Sequence, residues 1–177
     1  PEHNQLIGQN FAYRDWYRGV MADFKPYVSE VYIRATKPPA NVIGMALPVK
    51  NNNNTPIAIL LFTIKTDSFL KWLNELKFGE SGRAFIVDKR GHIIAHPDIP
   101  PQGEIIDYSS GTDVQKAISG QSGTEISVSP KNKRTLSSYE PIPDFHWGIV
   151  TRIELDEVIR AGLIKDNSLG QVGGGVI

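Results

Sequence analysis

The chain has 177 residues, no cysteine, and 19 basic side chains against 19 acidic ones. Without cysteine there are no disulfides, no thiolate chemistry and no Cys-based zinc site; the even charge balance lacks the basic excess of a nucleic-acid surface. Hydrophobic residues make up 40%, enough for a core, and no run of about 18 apolar residues is present to cross a bilayer.

The length suits one medium domain or two small ones. Pro1 is not a translation start, so the chain reads as a mature product or an excised piece. In chain order, Asn10 is placed to cap a helix starting near Phe11, with Arg14 and Tyr17 as neighbours on one face. Tyr27 to Tyr32 reads as extended, putting Tyr27, Ser29 and Val31 on one side and Val28, Glu30 and Tyr32 on the other. Strands are expected at 41–50 and 57–65. A helix is expected from Asp67 to Phe78, with Phe69, Leu73 and Leu76 on one stripe and Gly79 ending it.

The second half is patterned more sharply. Arg83–Asp88 and His92–His96 form a hairpin over the turn Lys89-Arg90-Gly91, and Pro97 stops the second strand. Thr112 and Gln115 have the spacing of a capping box for a short helix through Ile118, with Gly120 beyond its end. Strands follow at 124–129, 134–140 and 146–154, then a possible helix over 155–163 and a glycine-rich tail. Two strands, a helical crossover and three strands make an antiparallel sheet with helices on one face, an α+β design.

One unit occurs twice. Residues 41–66 and 134–156 each contain a strand ending in proline and an aliphatic residue (Pro48-Val49, Pro141-Ile142), a turn, and a second β-branched run. Such a repeat indicates two copies of one module. Overlaying them places the equivalent of the 83–96 hairpin before Pro1, so the first module is expected to lack its first hairpin. The expected division is 1–66 for the first module, 67–80 for a connecting helix, 81–155 for the second module and 156–177 for a terminal helix and tail.

Arg14 is the residue best suited to chemistry. Its planar guanidinium holds a carboxylate or phosphate through two charge-assisted hydrogen bonds, and Trp16, Tyr17 and Tyr32 can wall such a pocket. The alternative is structural: Arg14 pairs with Asp15 or Asp23, and the aromatics are core. His92 and His96, on one strand face with Asp98 nearby, offer a weaker metal-site reading. There is no nucleophile elbow, phosphate-cradling glycine loop or HExxH motif, and no catalytic residue, metal ligand or cofactor is assigned.

The segments IGQNFAYRDWYRGV, PYVSEVY and LKFGESGRAFIVDKRGHIIAHPD, the two proline-ended strands and the closing Trp147-Gly148-Ile149-Val150 resemble the extracytoplasmic double Cache sensor domains. These belong to bacterial and archaeal histidine kinases, chemoreceptors and cyclic-dinucleotide enzymes. The resemblance covers about residues 1–160. It implies two PAS-like modules, each an antiparallel sheet with helices packed on it: a membrane-distal module that binds a small ligand and a membrane-proximal one that relays. It also implies a parent chain anchored in a membrane, with this domain on the periplasmic or extracellular face, and a homodimer through an N-terminal helix absent here. Among the outputs, a histidine kinase is expected ahead of a chemoreceptor or cyclase.

In the amino-acid-binding subset of that family, an Arg-x-Trp-Tyr segment and a later tyrosine hold the ligand carboxylate, and an aspartate holds its amine. Arg14, Trp16, Tyr17 and Tyr32 match. Gln9 stands where an early tyrosine is expected, and no acid is found near Thr63 where the aspartate should be. The resemblance therefore implies a small carboxylate or other polar anion without an amine, at a site of Arg14, Trp16, Tyr17, Tyr27, Ser29, Tyr32 and Thr63. The other reading is a relay or interaction module with no ligand.

Overall fold

The computed structural model describes residues 6–100 and 103–164. They form two compact units: one runs to Phe69 and takes in the loop up to Ile106, and the other covers Leu70–Ile99 and continues from Asp107. Both are α+β with antiparallel sheets.

The first unit is built around β3 (Asn41–Lys50). On one side β3 pairs antiparallel with β4 (Pro56–Lys65) along almost its whole length. On the other it pairs with two short strands set end to end, β1 (Tyr27–Val28) and β2 (Tyr32–Ile33). The single extended run expected over 27–32 is thus interrupted. The cause is local: the Ser29 amide donates to the Gly44 carbonyl, and the Ser29 hydroxyl accepts the Gly44 N–H at 2.8 Å while donating to the Glu30 carbonyl. A side-chain oxygen thereby replaces a backbone carbonyl in the ladder.

Helix α1 (Asp15–Asp23) begins four residues later than the Asn10 cap suggests. The Asn10 side chain accepts the Ala12 N–H, and the Arg14 amide bonds to the Phe11 carbonyl, so 10–14 forms turns. An asparagine that satisfies a backbone donor two residues on favours a turn over a helix start. Arg14, with extended backbone, is the residue that precedes the first helical turn.

The second unit contains α2 (Leu70–Glu75), β5 (Arg83–Val87), β6 (Ile93–Ala95), α3 (Thr112–Ile118), β7 (Gly123–Val128), β8 (Arg134–Ile142), β9 (Trp147–Glu154) and α4 (Leu155–Arg160). Its sheet order is β6-β5-β9-β8-β7. The hairpin turn is fixed by the Asp88 carboxylate, which accepts the N–H groups of Arg90 and His92, and by Gly91 at φ 83°. A Cβ on Gly91 would also fall 2.7 Å from the Ser109 backbone.

Two helix expectations need correction. The connecting helix is shorter than 67–78: a 3-10 turn spans Thr66–Phe69 and α-helix only Leu70–Glu75. Of the apolar stripe only Leu73 is fully buried, while Trp72 and Leu76 stay exposed, so little packing extends the helix. At α3 the capping position belongs to Gly111, not Thr112. The Thr112 hydroxyl donates to Glu125 and the Gln115 amide donates to the Ser109 carbonyl, so neither closes a capping box.

The duplication is visible in the pairing. Strands β8–β9 repeat β3–β4: Pro48 lies opposite Ile59, and Pro141 opposite Gly148. Strand β9 is paired on both edges, with β8 and β5. Its counterpart β4 pairs only with β3 among the described residues, and Ile57, Leu60 and Phe62 are exposed on it. The position expected for a hairpin before Pro1 and the glycine-rich tail lie outside the described residues.

In the second unit α3 is seated on the sheet by apolar contact and by one ion pair. Val114 and Ala117 are fully buried, and Gly148 on β9 leaves room for Ala117. The Arg152 guanidinium donates from Nε and Nη2 to the two oxygens of Asp113, each at 2.7 Å. Burial pushes the Asp113 carboxyl up, but hydrogen bonds and charge from Arg152 outweigh it and hold the group below its ordinary value.

Removing one member of a buried pair strands the other, at a cost of about 3–5 kcal/mol. Asp113→Ala is expected to lower unfolding free energy by that amount in urea titrations. The stabilisation from Asp113 is complete above the ordinary aspartate range and is lost as pH falls through its depressed native value. Wild type should therefore lose stability in strong acid faster than Asp113→Ala does, and the gap between them should narrow.

Candidate functional site

A cavity of 310 Å³ opens in the first unit, lined by Leu6, Phe11, Arg14, Trp16, Tyr32, Arg34, Ala35, Thr36, Leu61 and Thr63. Each polar side chain arrives for a local reason. Arg14 stands at the start of α1, after the 10–14 turns. Tyr32 lies on β2, and Arg34 follows it by two in extended chain, hence on the same side. Thr63 and Leu61 alternate on β4.

The guanidinium of Arg14 lies 4.9 Å from the Tyr32 ring centroid and 5.1 Å from that of Tyr13. The carboxylates proposed as its structural partners are occupied elsewhere. Asp15 accepts the Tyr27 hydroxyl and the Glu30 amide, both at 2.8 Å, and Asp23 pairs with Lys25. Among the described residues no carboxylate pairs with Arg14. Arg34 spends Nε on the Pro38 carbonyl. Among the described residues the lining carries two guanidinium groups and no acid. Burial pushes the Tyr32 phenol up to about 12, against the opposing pull of Arg14, so Tyr32 is a neutral hydroxyl at any physiological pH.

The structure brings together Arg14, Trp16, Tyr32 and Thr63 and separates the other three candidates from them. Tyr17 faces a larger, mostly apolar cleft of 730 Å³, shared with Trp16, Gln9, Phe24 and Ile57. Tyr27 is structural: its hydroxyl holds Asp15, and its ring lies where a Cβ on Gly19 of α1 would come within 2.4 Å. Ser29 is buried and spent on the strand interruption. Sequence reading missed Arg34, Phe11 and Leu61. Alternation from Tyr32 and from Thr63 points to Arg34 and Leu61; nothing in the pattern points to Phe11, which the turn brings inward.

The histidines of the second unit do not converge. His92 Nδ1 lies 3.3 Å from Asp88, and His96 Nδ1 accepts the Asp98 N–H. No group of three or more candidate metal ligands occurs among the described residues.

The model of the Cache domain, in its double form, matches residues 1–161. The chain belongs to the Cache domain family. Among curated relatives, this Cache chain is 27% identical over 159 residues to methyl-accepting chemotaxis protein PscA of Pseudomonas syringae pv. tomato, and 22% identical over 160 residues to McpG of Pseudomonas putida. Those alignments cover 88% and 89% of this chain but 24% of each relative, so the chain spans about a quarter of their length. Among solved structures, the periplasmic sensory domain of the Campylobacter jejuni chemoreceptor Tlp1 superposes with a TM-score of 0.69 at 13% identity, over 84% of this chain and 57% of that one. The ligand-binding domain of the Pseudomonas aeruginosa chemoreceptor PctB, in complex with L-Gln, superposes with a TM-score of 0.65 at 20% identity, over 93% and 65%. These likenesses bear on fold. No helix among the described residues is long and apolar enough to cross a membrane.

Because Tyr27 serves α1, Tyr27→Phe is expected to lose its bond to a charged acceptor and about 1.5–3 kcal/mol of stability. Urea denaturation checks this; an unchanged midpoint would remove the Tyr27–Asp15 bond as a support of α1.

Proposed function

We propose that this chain is the ligand-sensing part of a membrane receptor, and that the first unit binds a small carboxylate, or another small polar anion, at Arg14. The observation that carries the reading is the composition of the 310 Å³ cavity: two guanidinium groups, a neutral tyrosine and a threonine, with no acid among the described residues. Half-buried Arg14 has no carboxylate partner among the described residues, which leaves its fork open to an anion. Arg14 takes the carboxylate fork, Arg34 adds a second positive charge, and Trp16, Phe11 and Leu61 exclude water around the apolar part of the ligand.

Thr63 sets the exclusion. The solved relatives include domains in complex with amino acids, and an α-ammonium group needs a carboxylate to offset its desolvation. A threonine hydroxyl offers no charge, so acids without an amine are favoured. Tyr17, Tyr27 and Ser29 do not meet the ligand; Tyr27 and Ser29 support the site through their hydrogen bonds to Asp15 and to the Gly44 and Glu30 backbone.

The related domains are sensors, and no catalysis is expected of this one. Both curated relatives are chemotaxis receptors, which favours a chemoreceptor output over a kinase. The parent receptor is membrane-anchored with this domain outside the cytoplasm, and it pairs as a homodimer. Signalling is a population shift: the anion stabilises the arrangement that it contacts better, by no more than its differential affinity.

A thermal-shift and calorimetric screen of acetate, lactate, propionate, succinate and the proteinogenic amino acids tests this. A ligand at 100 times its dissociation constant stabilises by about 2.7 kcal/mol, so a true ligand raises the melting temperature visibly. Arg14→Gln should abolish the response while leaving the unliganded melting temperature unchanged. Thr63→Asp should weaken organic-acid binding at least tenfold and admit an amino acid. Tight amino-acid binding by the wild type, with no organic-acid binding, overturns the assignment. No response to any compound returns the domain to a relay role.

A further inference from the structure

The strand register makes the two units comparable position by position. In the first, four residues before Pro48 and four beyond its partner Ile59 stand Gly44 and Thr63, paired across β3 and β4. In the second, the same steps from Pro141 and Gly148 lead to Ser137 and Arg152, paired across β8 and β9. Arg152 therefore occupies in the second unit the position that Thr63 holds in the first. Each faces a cavity of similar size: 310 Å³ for Thr63 and 320 Å³ for Arg152. Both lie at the lower end of the range for small-molecule sites.

The cavity at Arg152 has its own chemistry. Phe85, His96 and Tyr108 form an aromatic wall: the Phe85 and His96 rings stack at 5.3 Å, and Tyr108 meets both edge-on. The Arg152 guanidinium lies 5.0 Å from the Phe85 centroid and 5.7 Å from that of Tyr108. Asp113 takes Nε and Nη2 of Arg152, leaving Nη1 with no hydrogen-bond partner among the described residues.

At the cavity rim the charges do not cancel. Arg83 pairs with Asp98, and Lys133 with Glu154. Lys131, which also lines the cavity, has no ion-pair partner among the described residues, yet its charge is felt at His96. His96 Nδ1 accepts the Asp98 amide, so in the neutral ring Nε2 carries the proton and can only donate. Lys131 is thus the excess charge, and Arg152 Nη1, Lys131 Nζ and His96 Nε2 are donors available beside the second carboxylate oxygens of the paired Asp98 and Glu154.

We propose that the second unit holds a binding site of its own, between Arg152 and Lys131 and against Phe85, His96 and Tyr108, for a small carboxylate bearing an apolar or planar body. The carboxylate accepts from Nη1 and Nζ, and its body lies on the aromatic wall. The site is independent of Arg14, so a two-module sensor of this kind reads two anions or one anion twice.

The test uses the full chain in the Arg14→Gln background, which silences the first cavity. Sodium benzoate is titrated while the ring resonances of His96 and Tyr108 are followed by NMR, with sodium chloride at matched ionic strength and inorganic phosphate as separate arms. The expected result is a saturable shift of both rings with benzoate and none with chloride. The His96 imidazole, pushed down to about 4 by burial, should titrate at higher pH when the anion is bound, because a neighbouring negative charge favours the cation. Arg152 is part of the structural pair, so the discriminating variant is the exposed Lys131→Glu, which should weaken benzoate binding at least tenfold without changing the melting temperature. Equal shifts with phosphate would make the site a general anion site and overturn the carboxylate assignment. Shifts that follow ionic strength alone, or that survive Lys131→Glu unchanged, would overturn the site itself.

Discussion

The register of the central hairpin in each unit is the constraint on which the site geometry depends. A strand alternates its side chains between faces, so slipping β4 by one residue against β3 would turn Thr63 and Leu61 out of the cavity. The same slip of β9 would take Arg152 away from Asp113 and remove the bond between α3 and its sheet. In the first unit, the Ser29 hydroxyl marks where the short strands break against β3. In the second, the near-complete burial of Arg152 and Asp113 penalises any other pairing.

The two units have used this common geometry differently. In the first, a threonine occupies the key β4 position, and positive charge reaches the cavity from outside the hairpin, on Arg14 and Arg34. In the second, the positive charge comes from the hairpin itself, and most of Arg152 is committed to Asp113. Among the described residues one guanidinium therefore has no acid partner, whereas the other supports the fold and retains only one nitrogen for anything else. That difference follows from which neighbour each arginine finds: Asp15, the acid adjacent to Arg14, is already held by Tyr27 and Glu30.

Much of the fold was readable from residue order. Proline-ended strands, the Asp88–Gly91 turn and the run of five strands in the second unit are local patterns, and each appears close to its expected place. Helix starts were less readable. Asn10 and Thr112 are good cap residues that found other hydrogen-bond partners, Ala12 in one case and Glu125 in the other. Of the seven site candidates, Arg14, Trp16, Tyr32 and Thr63 line one cavity. Tyr17 belongs to the family's Arg-x-Trp-Tyr segment, and Tyr27 and Ser29 to the extended run that carries Tyr32, but helix phase and a strand break direct all three elsewhere.

By itself the sequence determined the fold class and the repeated strand order, because these rest on periodicity and on local pattern, and it singled out Arg14 by the chemistry of one side chain. Only the tertiary structure decided that Arg14 has no carboxylate partner among the described residues, that Arg34 lines the same cavity, and that Arg152 stands in the second unit where Thr63 stands in the first. Those facts depend on strand pairing and on competition among distant hydrogen-bond partners, neither of which is encoded in the spacing of residues along the chain.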